Sequence, residues 1–144
     1  MDLAFCALHP DAVVPQYAHP GDAGLDLIAV ASLTLPRRGG RGLVATGLSV
    51  AIPEGYAGFV LPRSGLATRH GVTCANAPGL IDAGYRGEIR VALVNLDADE
   101  DYEVRVGDRV AQLVVLAVPS FLPHLVEELP HSARGDGGFG STGR

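Results

Sequence analysis

Asp82 is the residue of this chain whose setting best suits chemistry. It lies in the run Asn76-Ala-Pro-Gly-Leu-Ile-Asp-Ala-Gly-Tyr-Arg-Gly-Glu88, flanked by the apolar Ile81 and Ala83. Gly79 and Gly84 bracket it, and glycine adopts backbone angles that other residues avoid. The strand formers Val91-Ala92-Leu93-Val94 follow. The run is expected to form a hairpin that holds one carboxylate and several exposed backbone groups. So much fixed geometry suits a binding or catalytic loop better than a plain surface turn.

Three further segments combine loop chemistry with charge or polarity. In Gly21-Asp-Ala-Gly-Leu-Asp26, two acids stand four apart around a glycine. They suit an outer-shell magnesium site, because Mg²⁺ takes oxygen ligands and keeps several waters; a plain acidic turn is the alternative. In Pro62-Arg-Ser-Gly-Leu-Ala67, Arg63 and Ser64 fit a phosphate at the start of a short helix. A capped surface helix explains the same residues. In Gly107-Asp-Arg-Val-Ala-Gln112, Gln112 is a polar intrusion into an apolar closing strand, and taken alone belongs on a solvated face.

The last segment, Arg134-Gly-Asp-Gly-Gly-Phe-Gly-Ser-Thr-Gly-Arg144, differs from the rest in composition. It has little to bury, so it is expected to be mobile when nothing is bound. It nevertheless carries one aromatic, two arginines and two hydroxyls. Those groups match a glycine-rich loop whose N–H groups hold an anion beside a stacking ring.

The elements that must position these residues are short strands. Leu25–Leu35, Gly42–Ile52, Tyr56–Leu61, Ile89–Leu96, Tyr102–Val106 and Val110–Val118 are apolar runs stopped by Pro, Gly or acidic turns. That spacing predicts an all-β sandwich or barrel. The only expected helix covers Arg63–Arg69, with Ser64 as its cap.

Composition narrows the classes. The chain has 144 residues, 47% hydrophobic, which suits one domain with one core. Its formal net charge of -5 argues against non-specific nucleic-acid binding. A polyanionic substrate would need a local basic cluster or a metal ion. Cys6 and Cys74 are expected as two buried, reduced thiols. No basic segment precedes an apolar run at the N-terminus, and no run is long enough to span a bilayer, so a cytoplasmic location is expected. The five histidines form no metal-binding spacing, and no nucleophile elbow, phosphate-binding Walker loop or dinucleotide fingerprint is present.

In this order, Gly21–Asp26, Pro62–Ala67, Asn76–Glu88, Gly107–Gln112 and Arg134–Gly143 resemble the five motifs of the trimeric dUTPases. The resemblance spans nearly the whole chain, and the third and fifth motifs are the most specific. It implies an all-β, distorted jelly-roll or β-barrel subunit at residues 1–133, a flexible arm at 134–144, and a homotrimer with shared active sites. It implies hydrolysis of dUTP to dUMP and pyrophosphate with Mg²⁺, which keeps uracil out of DNA and supplies dUMP. By resemblance, Asp82 activates the attacking water. Asn76 and the backbone of Leu80, Ile81 and Asp82 read the uracil edge. Tyr85 packs on the deoxyribose, and Asp26 holds magnesium through water. Arg63, Ser64, Gly65 and Gln112 bind phosphates, and Arg90 accompanies the hairpin. Arg134, Gly140, Ser141 and Thr142 belong to the arm that grips the γ-phosphate, with Phe139 stacked over the base. Asp22 and Arg109 are expected to support their neighbours. No nucleic acid or membrane partner is implied.

Two rivals bear on this reading. A dCTP deaminase of similar fold, or a bifunctional deaminase–dUTPase, resembles the chain in the second and third motifs. That family places a glutamate where this chain has Ala92, which cannot serve as a general acid or base. A non-enzymatic protein that kept the scaffold would be expected to have lost some of the acid, arginine and aromatic positions found here.

Overall fold

Short apolar runs, many with alternating burial, form the strands of this chain, and Gly and Pro end several of them. The computed structural model describes residues 2–138. In chain order the elements are β1 (Ala4–Ala7), β2 (Leu25–Ile28), β3 (Leu33–Leu35), β4 (Gly40–Ala45), β5 (Leu48–Ala51) and β6 (Tyr56–Leu61). They continue with α1 (Ser64–His70), β7 (Val72–Cys74), β8 (Gly79–Ile81), β9 (Arg90–Asn95), β10 (Tyr102–Val104) and β11 (Arg109–Ala117). The all-β expectation holds. The pairings give a four-stranded sheet in the order β2-β11-β6-β8, a three-stranded sheet β4-β9-β7, and the pairs β1-β5 and β10-β3. All pairs are antiparallel, and no closed barrel forms among the described residues. No helix among them is long and apolar enough to cross a membrane.

Two expected runs are each split, for identifiable reasons. Leu25–Leu35 becomes β2 and β3. Between them, the Ala29 N–H turns to Asp108 O and the Val30 N–H to Ala45 O. Gly42–Ile52 becomes β4 and β5, broken at Thr46-Gly47. Gly47 has φ +64°, a conformation that side chains disfavour. A Cβ there would also press on the His9 Cβ.

The core lies between the sheets. Leu27, Leu35, Val44, Leu93, Val104 and Leu113 are fully buried. A register shift between Arg109 and Ala111 interrupts the β2–β11 ladder. Such a bulge lets Val110 and Ala111 both turn inward, against strict alternation, before Gln112 turns outward. Buried Asn95 bonds inside the core. Its Nδ2 donates to Leu35 O and Glu100 O, and its Oδ1 accepts from the Asp97 N–H.

Two local expectations are corrected. Ser64 does not cap α1: Arg63 holds that position, no side chain bonds the cap, and Ser64 is the first helical residue. Gly71, at φ +63°, closes the other end in the left-handed conformation. Cys74 is buried and its thiol pKa is raised by burial, but Cys6 is exposed on β1. Beyond β11, Phe121, Leu122, Leu125 and Leu129 are exposed.

Candidate active site

One row across three strands assembles the first cluster. Gln112 on β11 pairs with Asp26 on β2 and with Leu61 on β6. The chain then leaves β6 through Pro62 into α1, which brings Arg63, Ser64 and Gly65 to the same place. Together with Asp22, Gly24 and His19 these residues line a cleft of about 520 Å³. Gln112 Nε2 donates to Pro62 O at 3.1 Å, tying β11 to the helix entry. A Cβ on Gly24 would overlap Gln112 Oε1, so that motif needs a glycine for this side chain to fit.

Asp26 sits between two guanidinium groups. Arg63 Nε is 3.4 Å from Oδ1 and Arg109 Nε is 3.4 Å from Oδ2. Arg63 also donates to Arg109 O. Asp22 shapes the rim, since its Oδ2 accepts the His19 N–H at 2.8 Å. Asp22 and Arg109, the two residues expected to support their neighbours, contact His19 and Asp26 respectively. The cleft is thus polar, with Arg63, Ser64 and Gln112 beside Asp22 and Asp26, a lining able to make charge-assisted hydrogen bonds.

The second cluster surrounds the Asp82 loop. Asn76, Gly79, Leu80, Ile81, Tyr85, Glu88, Arg90 and Ala92 line a cleft of about 400 Å³. The loop is not a simple hairpin. β8 pairs with β6 in the four-stranded sheet, whereas β9 pairs with β4 and β7 in the other. The Asp82–Tyr85 turn therefore bridges two sheets, closed by the Tyr85 N–H donating to Asp82 O. Asp82 itself is exposed at the end of β8 and lines neither cleft. Its carboxylate takes no hydrogen bond or ion pair among the described residues. The Tyr85 ring folds back so that its hydroxyl donates to Glu88 O at 2.9 Å. A Cβ on Gly87 would overlap that hydroxyl, which accounts for a glycine there.

Among the described residues, the two clefts share no lining residue. Val60 lines the second and its neighbour Leu61 the first, and successive side chains on a strand point to opposite faces. Arg134 joins neither cleft; it lies in an exposed turn, with Nε donating to Gly137 O at 2.8 Å. Phe139, Gly140, Ser141 and Thr142 lie outside the described residues.

Sequence reasoning missed Glu88. Its carboxylate bonds Arg90 Nε at 2.7 Å and the Gly47 N–H at 2.9 Å. Burial acts to raise its pKa, but those bonds hold it below the ordinary carboxylate range. The signal available was Glu88 and Arg90 standing two apart, the spacing that shares one face of a strand.

Among the described residues, no group of three or more His, Cys, Asp or Glu could enclose a metal. Asp22 and Asp26 both line the first cleft, and Asp26 is already paired with Arg63 and Arg109.

A sequence model of the dUTPase family matches residues 11–143. The deoxyuridine 5'-triphosphate nucleotidohydrolase of Leifsonia xyli is 57% identical over 130 residues, covering 90% of this chain and 85% of its own length. That of Streptomyces griseus is 54% identical over 143 residues, covering 99% and 81%. Among solved structures, the Staphylococcus bacteriophage 80alpha dUTPase with dUPNHPP superposes with TM-score 0.92 at 28% identity, covering 99% of both chains. A mutant dUTPase from phage phi11 of S. aureus, solved with attention to a structural Mg(II) ion, gives 0.82 at 25% identity, covering 91% of this chain and 100% of its own. The motif order, the strand framework that gathers those motifs, and relatives alike over nearly the whole length agree: the chain belongs to the dUTPase family.

Proposed function

We propose that this chain hydrolyses dUTP to dUMP and pyrophosphate. The observation that carries the reading is the division between two unlike clefts. One has Asn76, Tyr85 and apolar walls, with Glu88 and Arg90 cancelling each other's charge. The other has Arg63, Ser64, Gly65 and Gln112 around Asp26. A neutral nucleoside suits the first and a triphosphate the second.

In this mechanism Asn76 and the main chain of Leu80, Ile81 and Asp82 read the uracil edge. A fixed backbone pattern rejects cytosine by mismatched donors, and close walls reject the thymine methyl. The Tyr85 ring packs on the sugar where a 2′-hydroxyl would stand. Arg63, Ser64, Gly65 and Gln112 hold the phosphates. Asp82 orients a water and takes its proton as the oxygen attacks the α-phosphorus. The bond from that phosphorus to the α–β bridging oxygen breaks, and pyrophosphate leaves. Magnesium, when bound, supplies charge neutralisation to the phosphoryl oxygens, and Asp26 would hold it through water. Arg90 lines the base cleft, paired with Glu88.

The reading includes a homotrimer in which each site draws on more than one chain. Two clefts with no common lining residue support it, since one nucleotide must reach both. Residues 1–133 form the folded unit. The arm, residues 134–144, closes over the site, with Arg134, Gly140, Ser141 and Thr142 on the γ-phosphate and Phe139 over the base. Closure would expel water and align the phosphates. The dCTP deaminase reading is disfavoured because Ala92 places only a methyl group in the cleft wall.

The test is pyrophosphate release from dUTP, dTTP, dCTP and UTP with Mg²⁺. Turnover of dUTP alone is expected. Ammonia released from dCTP would replace the proposal with the deaminase, and no turnover of any nucleotide would leave only a scaffold.

A further inference from the structure

Glu88 is the one acidic side chain lining the nucleoside cleft among the described residues. It stands at a junction. Oε2 accepts from Arg90 Nε at 2.7 Å, and Oε1 accepts from the Gly47 N–H at 2.9 Å. Its main-chain oxygen accepts the Tyr85 hydroxyl at 2.9 Å. The next residue is held by the same β4–β5 turn. The Ile89 N–H donates to Leu48 O at 2.7 Å, and Ile89 O accepts from buried Thr46 Oγ1 at 2.6 Å. Three consecutive residues, Thr46 to Leu48, thus grip the end of the loop that carries Asp82 and Tyr85. Only one of those bonds uses a side chain of the gripped segment, and that side chain is Glu88.

The charge balance suits a supporting role. An unpaired carboxylate here would repel an anionic nucleotide, but Arg90 neutralises it. Both carboxylate oxygens are occupied, so the group is not free to bond a base or sugar. Its side chain is 19% exposed, while Arg90 beside it remains 57% exposed.

We infer that Glu88 is a positioning residue: it fixes the Tyr85 ring and the Arg90 guanidinium in the nucleoside cleft, and so sets the preference for deoxyribose over ribose. The inference rests on the dUTP reading above. Loss of the carboxylate loosens the loop end at Gly47 and frees Arg90 at once. Ground-state fit of the nucleoside suffers more than the chemical step, which belongs to Asp82 and the phosphate cleft.

The experiment compares wild type, Glu88→Ala, Glu88→Gln and Tyr85→Phe for kcat and KM on dUTP and on UTP. Glutamine keeps an oxygen for the Gly47 N–H. In Glu88→Ala, KM for dUTP is expected to rise about tenfold, the scale of one lost charge-assisted hydrogen bond, with kcat within about twofold. The preference for dUTP over UTP is expected to shrink, and Glu88→Gln to recover most of both losses. Wild-type KM and preference in Glu88→Ala, or an equal loss in Ala and Gln, overturns the inference. Should Glu88→Ala not fold, Tyr85→Phe decides: it removes only the bond to Glu88 O, and an unchanged sugar preference overturns the inference. Wild type that releases no pyrophosphate from dUTP fails the functional reading itself, a separate result.

Discussion

Gln112 lies directly opposite Asp26 in the β2–β11 pairing, although the two come from opposite ends of the chain. Gln112 also bonds Pro62 O, at the entry to the helix that carries Ser64 and Gly65. Its strand pairing and its side-chain bond together tie three of the segments that line the phosphate cleft. Gln112→Ala removes a phosphate donor and leaves a carbonyl without its partner. We expect KM for dUTP to rise roughly tenfold with the mass in solution unchanged, read by steady-state kinetics and light scattering.

Asp82→Asn tests the water activator. The substitution keeps the shape of the side chain and removes its basicity. Turnover is expected to fall by several orders of magnitude while dUTP binding, measured by calorimetry, survives. Wild-type-like turnover removes Asp82 from that role.

Deleting residues 134–144 tests the arm. Pyrophosphate release is expected to drop by orders of magnitude, while the mass in solution stays that of the intact assembly. Dissociation on truncation would make the segment a structural tie rather than a lid.

The Glu88 contacts predict a pH signature. Hydrogen bonds from Arg90 and Gly47 outweigh burial and lower its pKa in the folded state. Such a group adds stability above its unfolded pKa, about 4.3, and loses it as pH falls through the lower folded value. Melting curves of wild type and Glu88→Gln should therefore differ at neutral pH and converge in acid, below about pH 4. A gap of constant size across that range would show that the charge is not its source.

Much of this site was legible in the sequence because its residues come in short local groups. Asp26, Arg63 and Ser64 could be singled out from their neighbours, Asn76 and Tyr85 only through the family resemblance, and β6 ends where Pro62 stops it. What failed was long-range. Nothing local to the Asp82 loop says that its two arms join different sheets, because strand partners are chosen by the whole fold. Glu88 escaped notice because one of its partners, Gly47, is brought to it by the β4–β9 pairing rather than by sequence. Ser64 looked like a cap by type, yet the helix begins on it. Cys6 looked buried by type, yet β1 pairs only with β5 and leaves it exposed.

That the two clefts share no lining residue among the described residues has a genetic corollary. A lesion in the Asp82 loop and a lesion at Arg63 damage different halves of the site. If the sites are shared between chains as proposed, an undamaged nucleoside cleft from one such chain meets an undamaged phosphate cleft from another when the two co-assemble. In a random mixture of such trimers about a quarter of the sites would be whole, so two inactive alleles would complement each other.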